Sequence, residues 1–176
     1  MTKVVLVSVH GPDRVGLVSA VAGTLYDAGV NLRDTTFAAL GSGAELTAVC
    51  EVPGHFSTEE TLGRLRALPE LDGAEIEIRP FAFDPQPGPL GRVTHRVEVS
   101  GGDQLGLVAR LADIFTESGA NIVRLDTQKL PDGDYLARFA VSIPADRQAA
   151  CLAAINNTAG SLRLTSRVEE AEPGGA

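Results

Sequence analysis

Residues 11–18 read Gly-Pro-Asp-Arg-Val-Gly-Leu-Val, and residues 101–108 read Gly-Gly-Asp-Gln-Leu-Gly-Leu-Val. The offset of 90 residues, from Asp13 to Asp103, persists downstream, where four further positions match: Ala22 with Ala112, Gly29 with Gly119, Asn31 with Asn121, and Leu40 with Leu130. Self-similarity at a fixed offset is typical of duplicated structural units. The sequence therefore predicts two copies of one module.

The first copy opens with a strand and a helix. The β-branched run at 3–9 ends at Gly11-Pro12, which predicts a strand that enters a turn. Apolar residues at helical spacing then predict a helix over 14–28, with Asp13 as its N-cap and Gly29 as its C-terminal stop. The buried stripe of this helix is predicted to contain Val15, Val18, Val21, Ala22 and Leu25.

The rest of this copy predicts strand, strand, helix, strand. Strands over 31–39 and 44–52 form a hairpin across 41–43. In the second of these strands, alternate residues face the core: Leu46, Ala48, Cys50 and Val52. A helix over 57–68 begins with a capping box of Ser57 and Glu60 and buries Leu62, Leu65 and Leu68. A strand over 74–79 completes the module.

The second copy predicts the same order over 93–99, 105–118, 121–129, 135–143, 146–156 and 162–168. Its third strand matches at an offset of 91, because the turn 131–134 is one residue longer. A slip of one residue would turn every side chain to the other face, so the turn must absorb the insertion. The predicted domains are 1–80 and 93–168, joined by a proline-rich linker at 81–92 and followed by an acidic tail at 169–176 that we expect to be disordered.

The composition excludes several classes of function. The 176 residues include 15 Lys and Arg against 23 Asp and Glu, a net charge of -8. This charge opposes attachment to a phosphate backbone, so we expect no direct contact with nucleic acid. Apolar runs are too short to cross a membrane. Cys50 and Cys151 lie in apolar stretches and are interpreted as core thiols of a cytoplasmic protein.

No pattern of a catalytic or metal site is present. The three histidines, His10, His55 and His95, lack metal-ligand spacing, and the motifs of phosphate-binding loops and serine nucleophiles do not occur. We therefore expect a protein that is not an enzyme and uses no cofactor.

The repeated Asp-x-x-Gly-Leu-Val offers a different kind of site. It follows a strand and opens a helix, whose free N–H groups suit a carboxylate or phosphate. Asn31 and Asn121 could bind a zwitterion through their amides. The alternatives are that Asp13 and Asp103 are simple helix caps and that the asparagines order a turn. Gln104 stands where the first copy has Arg14, so the second site lacks that charge and we expect the two sites to differ in affinity.

Two βαββαβ modules, each with Asp-x-x-Gly-Leu-Val followed by Gly-x-Asn-(Leu/Ile), resemble tandem ACT domains. The segment 9–18 is similar to the opening of the glycine cleavage system transcriptional repressor group, and formyltetrahydrofolate deformylases begin with a similar segment. The resemblance implies an α+β, ferredoxin-like fold in which an antiparallel sheet carries its helices on one face. It also implies that amino acids bind where the loop between the first strand and the first helix of one ACT domain meets the second strand of an adjacent ACT domain.

Carried onto this sequence, the resemblance implies that the helix N-terminus receives the ligand carboxylate while Asp13 or Asn31 meets the amine. The implied ligand-binding residues are Asp13, Arg14, Val15, Gly16, Leu17, Asn31 and Leu32, with Asp103, Gln104, Leu105, Gly106, Asn121 and Ile122 in the second module.

The predicted function is that of a homodimeric regulator that binds a small amino acid, glycine or serine, and acts allosterically through a protein partner such as a transcription factor. The alternative is a detached regulatory subunit of an amino-acid biosynthetic enzyme. Exposed edge strands favour pairing with a second copy.

Overall fold

A computed structural model describes residues 3–86 and 88–171. The chain divides between Pro85 and Gln86 into two compact units. The first unit contains β1 (Lys3–Pro12), α1 (Leu17–Asp27), β2 (Asn31–Leu40), β3 (Gly43–Val52), α2 (Thr58–Arg66) and β4 (Glu75–Pro80). The second contains β5 (His95–Gly102), α3 (Leu107–Glu117), β6 (Asn121–Lys129), β7 (Asp134–Ser142), α4 (Gln148–Ser161) and β8 (Thr165–Glu170).

Each unit has one four-stranded sheet in which all neighbouring strands are antiparallel. The strand order is β2-β3-β1-β4 in the first unit and β6-β7-β5-β8 in the second. The predicted fold is confirmed: both units are α+β, ferredoxin-like modules with the same topology.

The core of each unit lies between its sheet and its two helices. In the first unit, Val7 of β1 and Ala48 of β3 pack with Val21 and Leu25 of α1, which are almost completely buried, and with Leu65 of α2. In the second unit the core is filled in the same way by Val97, Phe139, Leu111, Phe115 and Ile155. Burial of these apolar side chains is the main force that holds each module together.

The strand register confirms how the longer turn of the second module is accommodated. Val7 pairs with Ala48, and Val97 pairs with Phe139, so the offset is 90 on the central strand and 91 on its neighbour. The extra residue lies in the turn between β6 and β7, where the Leu130 N–H donates to the Asp134 carbonyl. The predicted alternation therefore survives the insertion, and Ala137, Phe139, Val141 and Ile143 are all buried.

Several predicted boundaries are wrong. Helix α1 begins at Leu17 and not at residue 14, and α3 begins at Leu107 and not at 105. Both N-cap positions are glycines, Gly16 and Gly106, so Asp13 and Asp103 are not the caps. The predicted stripe of α1 is wrong at its first two members, since Val15 and Val18 are exposed, and Leu17 is buried in their place.

Other differences lie at the ends of the second module. β5 runs on through Gly102, because both of its last glycines pair with β7. α4 continues to Ser161, past the polar residues 156–158, because Ile155 and Ala159 keep one buried face. β8 ends at Glu170, so the strand extends two residues into the predicted tail. The remainder of that tail, after residue 171, lies outside the described residues.

The linker region contains ordered structure. The Phe81 N–H donates to the Val4 carbonyl at 3.0 Å, and the rings of Phe81 and Phe83 meet edge to face. A short 3₁₀ turn spans Pro89–Gly91.

In the described part of the chain, none of the helices has the length and apolar character needed to cross a membrane.

Candidate functional site

The loop between β1 and α1 is shaped by a glycine. Gly16 has φ of 93°, and Gly106 at the same place in the second module has φ of 77°. Only glycine accepts this left-handed conformation at low cost. The Leu17 N–H donates to the Arg14 carbonyl, and the Ala20 N–H donates to the Gly16 carbonyl. The helix therefore opens directly after the glycine, with the amides of Val18 and Ser19 in its first turn.

Two contacts fix this loop in the first module. The Asp13 N–H donates to the Ser42 carbonyl at 3.0 Å, which joins the loop to the turn between β2 and β3. The Arg14 guanidinium donates to the Pro69 carbonyl at 2.9 Å, which joins it to the short 3₁₀ turn at Pro69–Leu71. Arg14 is thus engaged with the protein's own backbone, which the sequence pattern did not reveal.

The same loop is held differently in the second module. The Lys129 ammonium lies 3.2 Å from an oxygen of Asp103. Ala39 occupies the position that corresponds to Lys129 in the first module, so no lysine stands at that place to pair with Asp13. The two loops therefore make different contacts at Asp13 and Asp103 and have different residues at Arg14 and Gln104. The predicted difference in affinity stays a prediction.

Both loops carry a large apolar residue that points into solvent. The relative exposure is 102% for Val15 and 100% for Leu105, at matched positions. Val18 of α1 and Leu32 and Phe37 of β2 are also partly exposed. Leu32 and Phe37 pair with Cys50 and Leu46, so they lie on the helix-bearing side of the sheet. The loop, α1 and the edge strand β2 together present a discontinuous apolar surface.

Asn31 and Asn121, which match in sequence, make different contacts. The Asn31 amide donates to Glu51 on β3 at 3.5 Å, and Arg33 forms an ion pair with the same carboxylate at 2.6 Å. The Asn121 amide donates to the Leu90 carbonyl at 2.8 Å. Asn121 therefore holds the segment before β5 and is committed to a structural contact, whereas the Asn31 contact is long and exposed.

The predicted site residues of one module do not all come together. Asn31 stands opposite Glu51, which stands opposite Val4 near the start of β1. Asp13 directly follows Pro12 at the other end of β1. Val4 and Pro12 are eight residues apart on β1, so roughly 27 Å separates the Asn31 end of the sheet from the Asp13 end. Asp13, Arg14, Val15, Gly16 and Leu17 form one half of the predicted site, and Asn31 with Leu32 forms another at the opposite end of the sheet.

The second module has the same separation. Asp103, Gln104, Leu105 and Gly106 lie beyond the end of β5, where Gly102 pairs with Asp134. Asn121 and Ile122 pair with Ser142 and Val141, at the other end of β7. A small ligand can therefore touch both halves only if two modules contribute to one site.

Neither metal-binding nor thiol chemistry is favoured by the described residues. They contain no group of three His, Cys, Asp or Glu side chains that could hold a metal ion. Cys50 and Cys151 are free and buried, as interpreted from the sequence. Burial raises the pKa of the Cys50 thiol to about 11, so this sulfur stays protonated and unreactive at neutral pH.

Comparison with known proteins gives a family for the first module. Residues 5–70 match the family model of the ACT domain. No curated protein matches the chain.

Two solved structures match nearly the whole chain. An unknown protein from Galdieria sulphuraria is 22% identical, with a TM-score of 0.75, over 98% of this chain and 100% of that one. A candidate glycine cleavage system transcriptional repressor is 16% identical, with a TM-score of 0.64, over 98% of this chain and 99% of that one. These similarities establish a shared two-module fold. Residues 5–70 are therefore similar to the ACT domain, and a second module of the same ferredoxin-like topology follows them.

Proposed function

We propose that the protein is a non-enzymatic regulator that binds a small amino acid, glycine or serine, and acts through a protein partner. The observation that carries this proposal is the pair of fully exposed apolar residues, Val15 and Leu105. Each lies beside a left-handed glycine at the N-terminus of a helix, α1 or α3. Single exposed apolar residues are common on protein surfaces. Here the same position is exposed twice, next to backbone amides that suit a carboxylate, which favours a surface that a ligand or a second molecule covers.

The geometry supports a site shared between two copies of the chain. In one copy, the first-turn amides of α1 would receive the ligand carboxylate. The ammonium group would meet Asp13 of that copy and Asn31 of the other copy. The separation of roughly 27 Å between the two halves in one module is the reason for requiring a second module, which we assign to a second copy of the chain. The edge position of β2 and its exposed Phe37 supply a surface through which a homodimer would form.

The first module is the better candidate for ligand binding. Asn121 is engaged by the Leu90 carbonyl, and Asp103 is paired with Lys129. A ligand at the second module would have to replace both contacts, each of which has a cost. At the matching positions of the first module, Asp13 and Asn31, a ligand would have to replace only the long contact between Asn31 and Glu51.

The ligand would act allosterically, by favouring one packing of two modules over another. A coupling of about 1 to 3 kcal/mol between ligand and partner binding is usual for such regulators. Since the chain carries a net charge of -8, repression of transcription would require a DNA-binding protein as partner. We also place the protein in the cytoplasm, where the free thiols of Cys50 and Cys151 remain reduced.

Calorimetric titration with glycine and serine tests the proposal. We expect saturable binding that is lost on Asn31→Ala and kept in the control Asn157→Ala, which removes the same amide from the exposed surface of α4. Absence of binding at millimolar ligand in the parent protein would contradict the proposal.

A second experiment addresses the partner. Affinity capture with the full chain, with and without the ligand, should recover a transcription factor in a ligand-dependent manner. Ligand-dependent recovery of a biosynthetic enzyme would support the alternative of a detached regulatory subunit.

A further inference from the structure

The sheet of the second module has one face covered by its helices and one open face crowded with charge. Alternation along the strands places Val97 and Phe139 in the core and their neighbours on the open face. Two rows of paired residues run across the open face, and each row takes one residue from β8, β5, β7 and β6, in that order. The first row is Arg167, Glu98, Arg138 and Asp126, and the second is Glu169, Arg96, Ala140 and Arg124.

Two of the four arginines on this face have acidic partners. Arg138 lies 2.9 Å from Glu98, and Arg167 lies 2.9 Å from Glu169. Across residues 3–86 and 88–171, Arg96 and Arg124 take part in no ion pair or side-chain hydrogen bond. Two unpaired guanidinium groups therefore stand on either side of the small residue Ala140 in the second row.

A cavity of about 320 Å³ lies on this face and is lined by all four arginines. Its other charged lining residues are Glu98, Asp126 and Glu169, so the lining is positive by one charge in a chain whose net charge is -8. Ala140 leaves the space between Arg96 and Arg124 open. The volume is sufficient for a small organic anion.

The first module shows that the fold does not require these arginines. The corresponding positions on its sheet are taken from the matched strand registers and the 90-residue offset. Arg96, Arg124, Arg138 and Arg167 correspond there to Leu6, Asp34, Thr47 and Glu77. The same topology forms with none of the four positive charges, so their presence together in the second module indicates a role other than folding.

We propose that this open face binds a small dicarboxylate, with one carboxylate on Arg96 and the other on Arg124. A guanidinium group can hold a carboxylate through two parallel hydrogen bonds, which makes arginine well suited to this recognition. The Cα atoms of Arg96 and Arg124 are separated by two strand spacings, roughly 10 Å. This spacing suits two carboxylates joined by a few carbon atoms, lying over Ala140. The site is separate from the loop and strand residues of the proposed amino-acid site and does not depend on them.

Titration of the full chain with glutarate at near-physiological ionic strength tests the proposal. We expect saturable binding of one glutarate per chain. Arg96→Gln and Arg124→Gln should each weaken binding by about tenfold or more, because each removes one charged, bidentate contact. Arg110→Gln is the matched control, since this arginine is exposed on α3 on the opposite side of the sheet, and it should bind as the parent does.

A second variant tests the shape of the site without altering its charge. Ala140→Leu fills the space between the two arginines and should also abolish glutarate binding. Circular dichroism would establish that each variant is folded.

Any of three results would overturn the proposal. The first is the absence of saturable glutarate binding, and the second is equal weakening in the Arg110→Gln control. The third is binding of inorganic phosphate as tight as that of glutarate, which would mean that the face responds to charge and does not recognise two carboxylates. Glycine and serine titrations of the same variants distinguish this failure from failure of the amino-acid site, because Arg96→Gln should leave those titrations unchanged.

Discussion

Gly16 determines where the first helix of the module begins. Its φ of 93° turns the chain so that Leu17, and not Val15, enters the core. Val15 is left on the outside of this turn, fully exposed. The conformation of one glycine thus links the start of a helix to the exposure of the apolar residue on which the functional proposal rests.

We predict that Gly16→Ala lowers the free energy of unfolding by about 1 kcal/mol, because alanine is strained at positive φ. The added Cβ would meet the Glu70 side chain at an ordinary 3.7 Å, so the cost comes from the backbone and not from a collision. Gly23→Ala is the control, since Gly23 lies inside α1 with open space around it and should become more stable. Urea unfolding measures the free energy of unfolding of both variants and of the parent. Equal effects of the two substitutions would contradict the account of Gly16.

The Cys50 thiol gives a prediction about pH. Burial raises its pKa from 9.0 to about 11. Between these two pH values the thiol therefore keeps its proton in the folded protein and loses it in the unfolded chain. Stability contributed by this thiol is complete below pH 9 and is lost as the pH rises towards 11. Urea unfolding over this range should show a loss of stability in the parent that is smaller in Cys50→Ala. Parallel losses in the two proteins would show that other groups account for the pH dependence.

Among the elements, β2 is the strand through which we expect a second copy to pair. It is an edge strand of its sheet, and nearly all of its side chains are exposed, including Phe37. An apolar edge strand is a place where a second copy can pair. The proposed dimer therefore uses this strand together with α1.

We predict that Phe37→Lys shifts the protein from dimer to monomer, because it places a charge on the apolar side of this edge. Thr36→Lys is the control, since Thr36 lies on the same strand and its side chain points to the other face. Light scattering during size-exclusion chromatography distinguishes the two states. A dimer that persists in Phe37→Lys would exclude this surface as the interface.

The segment before β5 gives a second prediction at this scale. The Asn121 amide holds the Leu90 carbonyl, so Asn121→Ala should release the segment and expose the bond after Arg92 to trypsin. Limited proteolysis should show faster cleavage there than in the parent, whereas Asn31→Ala should not change the rate. Unchanged cleavage in Asn121→Ala would mean that other contacts hold the segment.

Within residues 3–86 and 88–171, the sequence was sufficient to predict the eight strands and the four α-helices, because alternation and helical spacing reflect burial directly. It placed the capping residue of α2 correctly, since the Glu60 N–H donates to the Ser57 hydroxyl. It failed at α1 and α3, where Asp13 and Asp103 look like N-caps but lie three residues before the glycines that serve as caps. The local sequence does not show that Gly16 and Gly106 adopt a positive φ, so it does not show whether the aspartate or the glycine is the N-cap.

At the scale of the molecule, the two modules share a topology and the backbone hydrogen bonds that open their first helices, but the side chains of their loops make different contacts. Arg14 is bonded to the Pro69 carbonyl in one, while Asp103 is paired with Lys129 in the other. The open face of the second sheet carries four arginines at positions where the first module has none. This pattern favours a duplicated fold whose copies have acquired separate roles, with the first module as the amino-acid site.

The predicted site residues could be named from the sequence, but their arrangement could not. Asp13 and Asn31 lie 18 positions apart, and a helix and a turn separate them, so the sequence does not show that they occupy opposite ends of the sheet. The strand register shows it, because Asn31 is level with Val4 and Asp13 follows Pro12. The need for a second module follows from this geometry.

Mixing two defective variants tests the shared site most directly. Asp13→Ala removes a group from the loop half and Asn31→Ala removes one from the strand half, so each variant alone should fail to bind glycine or serine. If each site combines the two halves from different copies, an equal mixture forms dimers in which about one quarter of all sites are intact. Calorimetric titration of the mixture should recover that fraction. No recovery, in a mixture shown to exchange subunits, would contradict a site built from two copies.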